Sequence, residues 1–278
     1  MCRFYGFRAN EATKVECTLV HAQNALLIQS RLDRSGSSHT DGWGVGFYHD
    51  REPEVERRAS AAHEDLHFSA TAERVYSKTV IAHVRQATVG GPSVANSHPF
   101  CHGVWLFAHN GTLEAFDQVQ PLLERETDAA YRQVRQGVTD SEAIFVWLLG
   151  RMAAAGIGLH RRCPDSARLV AVVRDAVRQL VAWSDAQHPD EPSKLNFLLT
   201  DGATLVATRL GRSLFWVRRN GIRDCEICGI PHVHHDSKGT YRAVVVASEP
   251  ISHESWEEVP DGTILSIDGK VKTALAPI

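Results

Sequence analysis

Cys2 stands directly behind the initiator methionine and opens the apolar, strand-like stretch Cys-Arg-Phe-Tyr-Gly-Phe. Aminopeptidase removal of Met1 requires a small second residue, and cysteine qualifies. It would place a thiol and a free α-amine on one residue. A free cysteine titrates near about 8.5 and an α-amine at about 7.7–8.0. Such a residue carries its own general base and can act as a nucleophile. Its other reading is a small apolar residue at the start of a strand.

Four further stretches bear on the choice. Asp-Gly-Trp-Gly-Val-Gly-Phe at 41–47 sets three glycines around Trp43, where a strand normally avoids them; close backbone approach or a tight turn would explain it. His-Val-Arg-Gln-Ala-Thr-Val-Gly-Gly at 83–91 ends a strand with Arg85 and Thr88. An arginine there is either a solvated charge or a bidentate clamp for a carboxylate. Asn110-Gly111 follows a strand and reads as a turn, or as an amide and a backbone N–H able to form an oxyanion hole. Asp140 lies at a helix start, where it is an N-cap by spacing or a partner for a substrate ammonium.

The elements that must position these residues are partly legible. Strand patterns run over 2–9, 44–50, 79–85, 104–110, 194–201, 204–210, 213–219, 241–248 and 263–268, with Asp201-Gly202 as a hairpin signal. A helix over 139–156 opens with the capping-box pattern Thr139-Asp140-Ser141-Glu142 and is apolar nearly all round, so deep burial is expected. An amphipathic surface helix over 165–183 aligns Leu169, Val172, Val173, Ala176, Val177, Leu180 and Trp183 on one face. A third helix is expected over 63–78, and 184–193 is a polar loop. The pattern is α+β, built on antiparallel sheets.

The chain has 278 residues, a net charge of −3 and 43% hydrophobic residues. These give no reason to expect nucleic acid or an anionic membrane as partner. No signal-peptide pattern opens the chain, and the apolar run 143–149 is too short to span a bilayer. Six mostly dispersed cysteines read as reduced thiols. The expectation is a cytoplasmic protein.

Taken together and in this order, Cys2, Asp-Gly-Trp-Gly-Val-Gly-Phe, Arg85, Asn110-Gly111 and Asp140 give a chain that resembles the class II glutamine amidotransferases. That family has glutaminase domains that begin with a nucleophilic cysteine. The resemblance spans Cys2 to Ala-Ser-Glu-Pro at 247–250 and the Trp256-x-x-Val-Pro-x-Gly262 tail. It is closest to short stand-alone members, of the kinds that act on γ-glutamyl conjugates in ergothioneine synthesis or glutathione breakdown. The resemblance implies one domain over 2–278 with Met1 removed, folded as a four-layer αββα sandwich. Cys2 would attack a γ-glutamyl carbonyl and form a thioester. Asn110 and Gly111 would hold the oxyanion, Arg85 the glutamyl α-carboxylate with Thr88 nearby, and Asp140 the α-ammonium. Gln86 and Val89 depart from the Trp and His that synthase-type members commonly carry there, and a synthase would append a second, ammonia-consuming domain.

A stand-alone γ-glutamyl hydrolase is therefore expected, with a small-molecule γ-glutamyl substrate and no cofactor. Two alternatives are a glutaminase subunit that needs a separate acceptor or activating partner, and a non-catalytic regulatory or metal-binding protein. The last draws on Cys225-x-x-Cys228 followed by His232, His234 and His235. The spacing to the histidines is shorter than a zinc finger's and no second ligand pair has a matching loop, so no bound metal is expected.

Overall fold

The structure, a computed structural model, describes residues 2–222, 224–233 and 240–278. The first third of the chain forms β1 (Arg3–Lys14), α1 (Leu26–Arg31), β2 (Gly42–His49), β3 (Glu52–Arg58), α2 (Leu66–Arg74) and β4 (Tyr76–Arg85). The middle forms β5 (Phe100–His102), β6 (Trp105–Thr112), α3 (Phe116–Glu126), α4 (Ala129–Arg132), α5 (Asp140–Ala154) and α6 (Ser166–Asp185). Then come β7 (Lys194–Thr200), β8 (Leu205–Arg209), β9 (Phe215–Asn220), β10 (Arg242–Ala247), β11 (Glu257–Glu258), β12 (Thr263–Ile267) and β13 (Thr273–Pro277).

Two antiparallel sheets result. One has the strand order β11-β9-β10-β1-β4-β2-β3 and the other β13-β12-β8-β7-β6-β5. Successive side chains of a strand point to opposite faces, and β1 shows the consequence. Phe4 faces the second sheet with Ile81, Leu106, Leu198 and Val246. Tyr5 and Phe7 face outward, where Leu26 of α1 and Phe68 and Ala72 of α2 cover them. On the far side, Phe107 and Phe197 meet Phe145 and Leu148 of α5 and Leu169 and Val173 of α6. The layers run helix, sheet, sheet, helix, which is the expected α+β αββα sandwich. Helix α5 buries residues all round its axis because α3 and α6 flank it over the sheet.

Some expectations give way. The helix expected over 63–78 is a 3-10 turn at Ala62–Glu64 followed by α2, which stops at Arg74. Residues 76–78 belong to β4, where Tyr76 and Ser77 pair with Lys14 and Thr13 at the far end of β1. Helix α3, where no element was expected, contains Pro121, a residue disfavoured in helix interiors. Strand β3, Glu-Pro-Glu-Val-Glu-Arg-Arg, is an edge strand whose charges hide it; edge strands tolerate both charge and proline. Asn110 and Gly111 lie inside β6 and are not a turn. Among the described residues no helix is long and apolar enough to cross a membrane.

Candidate active site

Register alone carries Cys2 to the end of β4. Arg3 pairs with Val84, so Cys2 falls beside Arg85, and Gly42 of β2 pairs with Arg85 from the other side. The Cys2 thiol donates to the Gln86 carbonyl at 3.3 Å. The turn beyond Arg85 is held by Asp41, whose N–H donates to Arg85 O at 3.0 Å and whose Oδ2 accepts from Ala87 N–H at 2.7 Å. Gly44 in the same motif has no room for a side chain: a Cβ would sit 2.1 Å from the His98 carbonyl. Close backbone approach explains this glycine.

The Arg85 guanidinium is buried and donates to three carbonyls of the following loop, Val89 (2.8 Å), Gly90 (2.8 Å) and Gly91 (3.1 Å). Burial lowers its pKa, opposed by the nearby Cys2, Asp41 and Asp140. An arginine stays cationic through such a shift. Burial raises the Cys2 thiol, opposed by the Gln86 hydrogen bond and by the Arg85 charge.

Cys2 is anchored from behind by Arg3. Its Nη1 donates to the Cys2 carbonyl at 3.0 Å, while Nη2 pairs with Asp33 at 2.7 Å and with Glu249 at 3.0 Å. Burial pushes the Asp33 carboxyl up, but hydrogen bonds from Ser35 and Ser37 and the Arg3 charge outweigh it and bring the pKa to about 2.

The second sheet supplies Asn110 and Gly111. Asn110 Nδ2 donates to Ser248 Oγ at 3.2 Å, and the same hydroxyl oxygen accepts from Phe4 N–H at 3.0 Å. Ser248, just past β10, thus ties the backbone beside Cys2 to Asn110 across the two sheets. One amide hydrogen of Asn110 remains beyond that bond, and its buried Oδ1 has no partner among the described residues. At Gly111 a Cβ would lie 1.8 Å from the Lys194 carbonyl on β7, so no other residue fits.

Asp140 is the first residue of α5 and is buried. Its Oδ2 accepts from Leu113 N–H at 2.9 Å and its Oδ1 from Ser141 N–H at 2.8 Å. The N-cap read for it from spacing belongs instead to Thr139, whose hydroxyl accepts from Glu142 N–H. The Glu142 side chain turns to the Gln136 and Gly137 N–H groups, so only half of a capping box forms. Thr88 is exposed and reaches Thr112 at the end of β6, 3.5 Å away. Cys101 is exposed on edge strand β5, and His98 is buried against His83 and Phe100.

A buried cation and a buried anion thus flank one thiol. Among the described residues neither Arg85 nor Asp140 has an ion-pair partner within 4.0 Å. The pair complements a carboxylate and an ammonium, the two charges of an amino-acid head group.

The sequence profile of the family "Glutamine amidotransferases class-II" matches residues 1–276. The chain belongs to the class II glutamine amidotransferases. It is 31% identical to the protein named "Probable glutamine amidotransferase DUG3" from Saccharomyces cerevisiae, over 96% of this chain and 82% of that one. It is 28% identical to the gamma-glutamyl-hercynylcysteine sulfoxide hydrolase of Mycobacterium tuberculosis, over 99% and 97% of the two chains. The solved glutamine aminotransferase class-II domain protein of Silicibacter pomeroyi superposes with a TM-score of 0.61 at 22% identity, covering 99% of each chain. It shares the fold.

In this amidotransferase, Arg3, Asp33, Ser248 and Glu249 are the residues of the site region to which sequence reasoning assigned no role. For three of them the signal was present, Arg3 in Met-Cys-Arg and Ser248 and Glu249 in Ala-Ser-Glu-Pro, two stretches that carry the family resemblance; Asp33 lies in neither. Only the antiparallel pairing of β1 with β10 shows that the two ends of the chain meet at Cys2.

Proposed function

We propose that the chain hydrolyses a γ-glutamyl amide by itself, with Cys2 as nucleophile after Met1 is removed. The observation that carries the reading is the meeting of Cys2, Arg85, Asn110, Gly111 and Asp140 from both sheets and a helix N-terminus. Arg85 takes the glutamyl α-carboxylate and Asp140 the α-ammonium, which aims the γ-carbonyl at the thiol. The α-amine of Cys2 accepts the thiol proton as sulfur attacks the carbonyl carbon. The resulting oxyanion receives hydrogen bonds from Asn110 Nδ2 and Gly111 N–H. Collapse breaks the C–N bond, the amine leaves with the proton held on the α-ammonium, and a γ-glutamyl thioester remains on Cys2. Water attacks that thioester with the α-amine as base, glutamate departs and the thiol re-forms. All six cysteines are free, which supports work in a reducing compartment.

The test is intact-protein mass after incubation with 6-diazo-5-oxo-norleucine, a reactive glutamine mimic, alongside glutamate release from glutamine and γ-glutamyl peptides. Loss of methionine, a single adduct on Cys2 and turnover of at least one amide are expected. Retained methionine overturns the mechanism. A labelled enzyme that turns over no amide alone assigns it to a partner-dependent glutaminase.

A further inference from the structure

Four metal-ligating side chains meet at the opposite end of β1 from Cys2. Cys17 lies in a π-helical turn at Cys17–His21, just after β1, and is buried. Cys225, Cys228 and His232 lie in the excursion between β9 and β10. One ligand atom from each of the four lies within 4.8 Å of all the others, and Cys228 Sγ stands 3.3 Å from His232 Nε2. A tetrahedral zinc with Zn–S of about 2.3 Å and Zn–N of about 2.0–2.1 Å sets neighbouring ligand atoms about 3.5–3.8 Å apart. The four atoms are gathered to within about an ångström of that arrangement.

The local backbone is shaped for the same purpose. Cys225-Glu-Ile-Cys-Gly229 folds into a tight knuckle in which Gly229 N–H donates to Cys225 O at 2.8 Å and Cys225 N–H to Ile230 O at 3.1 Å. Gly229 takes a φ of +72°, which suits glycine. Ile227 N–H points at Cys225 Sγ from 3.4 Å, an outer hydrogen bond of the kind that orients a thiolate ligand. The knuckle is brought to β1 by the bond from Lys14 N–H to the His232 carbonyl at 3.0 Å.

We propose that Cys17, Cys225, Cys228 and His232 hold one structural zinc ion, which clasps the excursion between β9 and β10 to the end of β1. Three sulfurs and one imidazole select zinc over hard cations such as magnesium or calcium. Protein ligands fill all four positions, the arrangement of a structural site. On binding, the three thiols become thiolates and release their protons to solvent. The proposal departs from the sequence expectation of no bound metal. That expectation rested on spacing within 225–235 and did not include Cys17, which stands far from the knuckle in sequence. His234 and His235 lie outside the described residues.

The β4 residues opposite the two ends of β1, Val84 and Tyr76, are eight positions apart, so at about 3.3 Å each roughly 26 Å of strand separate this site from Cys2. The proposal is therefore read without reference to turnover. Elemental analysis of the intact chain, purified without metal-affinity resin or chelator, is expected to find about one zinc per chain. X-ray absorption is expected to show three sulfurs and one nitrogen around it. Cys228→Ser, at an exposed position that does not threaten folding, is expected to lose the zinc, while Cys101→Ser keeps it. Cobalt substitution of the wild type is expected to give intense tetrahedral thiolate absorption that Cys228→Ser lacks. A chain that stays metal-free after refilling with zinc overturns the proposal. So does a zinc content unchanged in Cys228→Ser, or a disulfide among Cys17, Cys225 and Cys228.

Discussion

Gln86 and Val89 replace side chains common in synthase-type relatives, yet each meets the site through its main chain. The Gln86 carbonyl accepts the Cys2 thiol and the Val89 carbonyl accepts Arg85, so the contacts survive whatever side chain stands there. In the proposed mechanism the Cys2 thiol is the one group that no neighbour replaces. In Cys2→Ala turnover is expected to vanish while the thermal melt stays near wild type, because the half-buried thiol makes one long hydrogen bond; residual hydrolysis above background would remove Cys2 from the nucleophile role. Arg85→Ala is expected to weaken glutamyl binding by about 2–5 kcal/mol, the cost of losing a buried charged partner. It would be read as a rise in the Michaelis constant for a γ-glutamyl amide. Because Arg85 also gathers the 89–91 carbonyls, a melt measured on the same sample separates lost substrate grip from lost loop order.

Strands, more than helices, do the positioning. β1 and β4 bring Cys2 to Arg85, β10 delivers Ser248, and β6 carries Asn110 and Gly111 across from the other sheet. Ser248→Ala leaves Phe4 N–H and the Asn110 amide without their shared acceptor. The expected result is a kcat about tenfold to a hundredfold lower with little change in the Michaelis constant, as for a loosened oxyanion donor. Ser248→Thr, which keeps the hydroxyl, should recover part of it; a raised Michaelis constant alone would contradict the positioning role. Gly111→Ala forces a methyl against the Lys194 carbonyl and should cost about 1–3 kcal/mol in urea unfolding as well as activity. Much of this framework was legible in the sequence. β4 to Arg85, the hairpin at Asp201-Gly202, and helices α5 and α6 all carry strong periodic patterns. The illegible parts share a cause. Charged β3, proline-bearing α3 and the pairing of β10 with β1 depend on neighbours distant in sequence, and a local pattern cannot display a partner. The turn reading of Asn110-Gly111 stayed open beside the oxyanion reading for the same reason, because only the approach of β7 requires the glycine.

Across the whole molecule, the meeting of the two sheets near the site buries an unusual set of neutral imidazoles. His83 Nε2 donates to the His109 carbonyl 3.3 Å away, and its ring lies 4.2 Å from that of His98. His39 is held by Asp33 at 3.0 Å beside Arg3. Burial, with the Arg3 charge, lowers the His39 pKa to about 4. Burial, with Arg85, lowers that of His83 to about 3. Unfolded histidine titrates near about 6.5, so between about pH 6.5 and pH 4 the unfolded chain binds protons that the folded chain refuses. Stability is therefore fully present above the unfolded value and falls as the pH drops. Each such histidine contributes a slope approaching about 1.4 kcal/mol per pH unit. Asp33, whose pKa is depressed to about 2, adds its own loss only below about pH 4. Urea midpoints measured between about pH 7 and pH 4.5 should decline steeply. His39→Gln keeps a donor toward Asp33 without the titration, so its slope should be shallower by one histidine's share. A wild-type midpoint that stays flat over this range would mean that these imidazoles gain protons in the folded state. The sheet interface that aligns Cys2 with Asn110 would then tolerate charge, and the neutral layer would not be what limits the enzyme's acid stability.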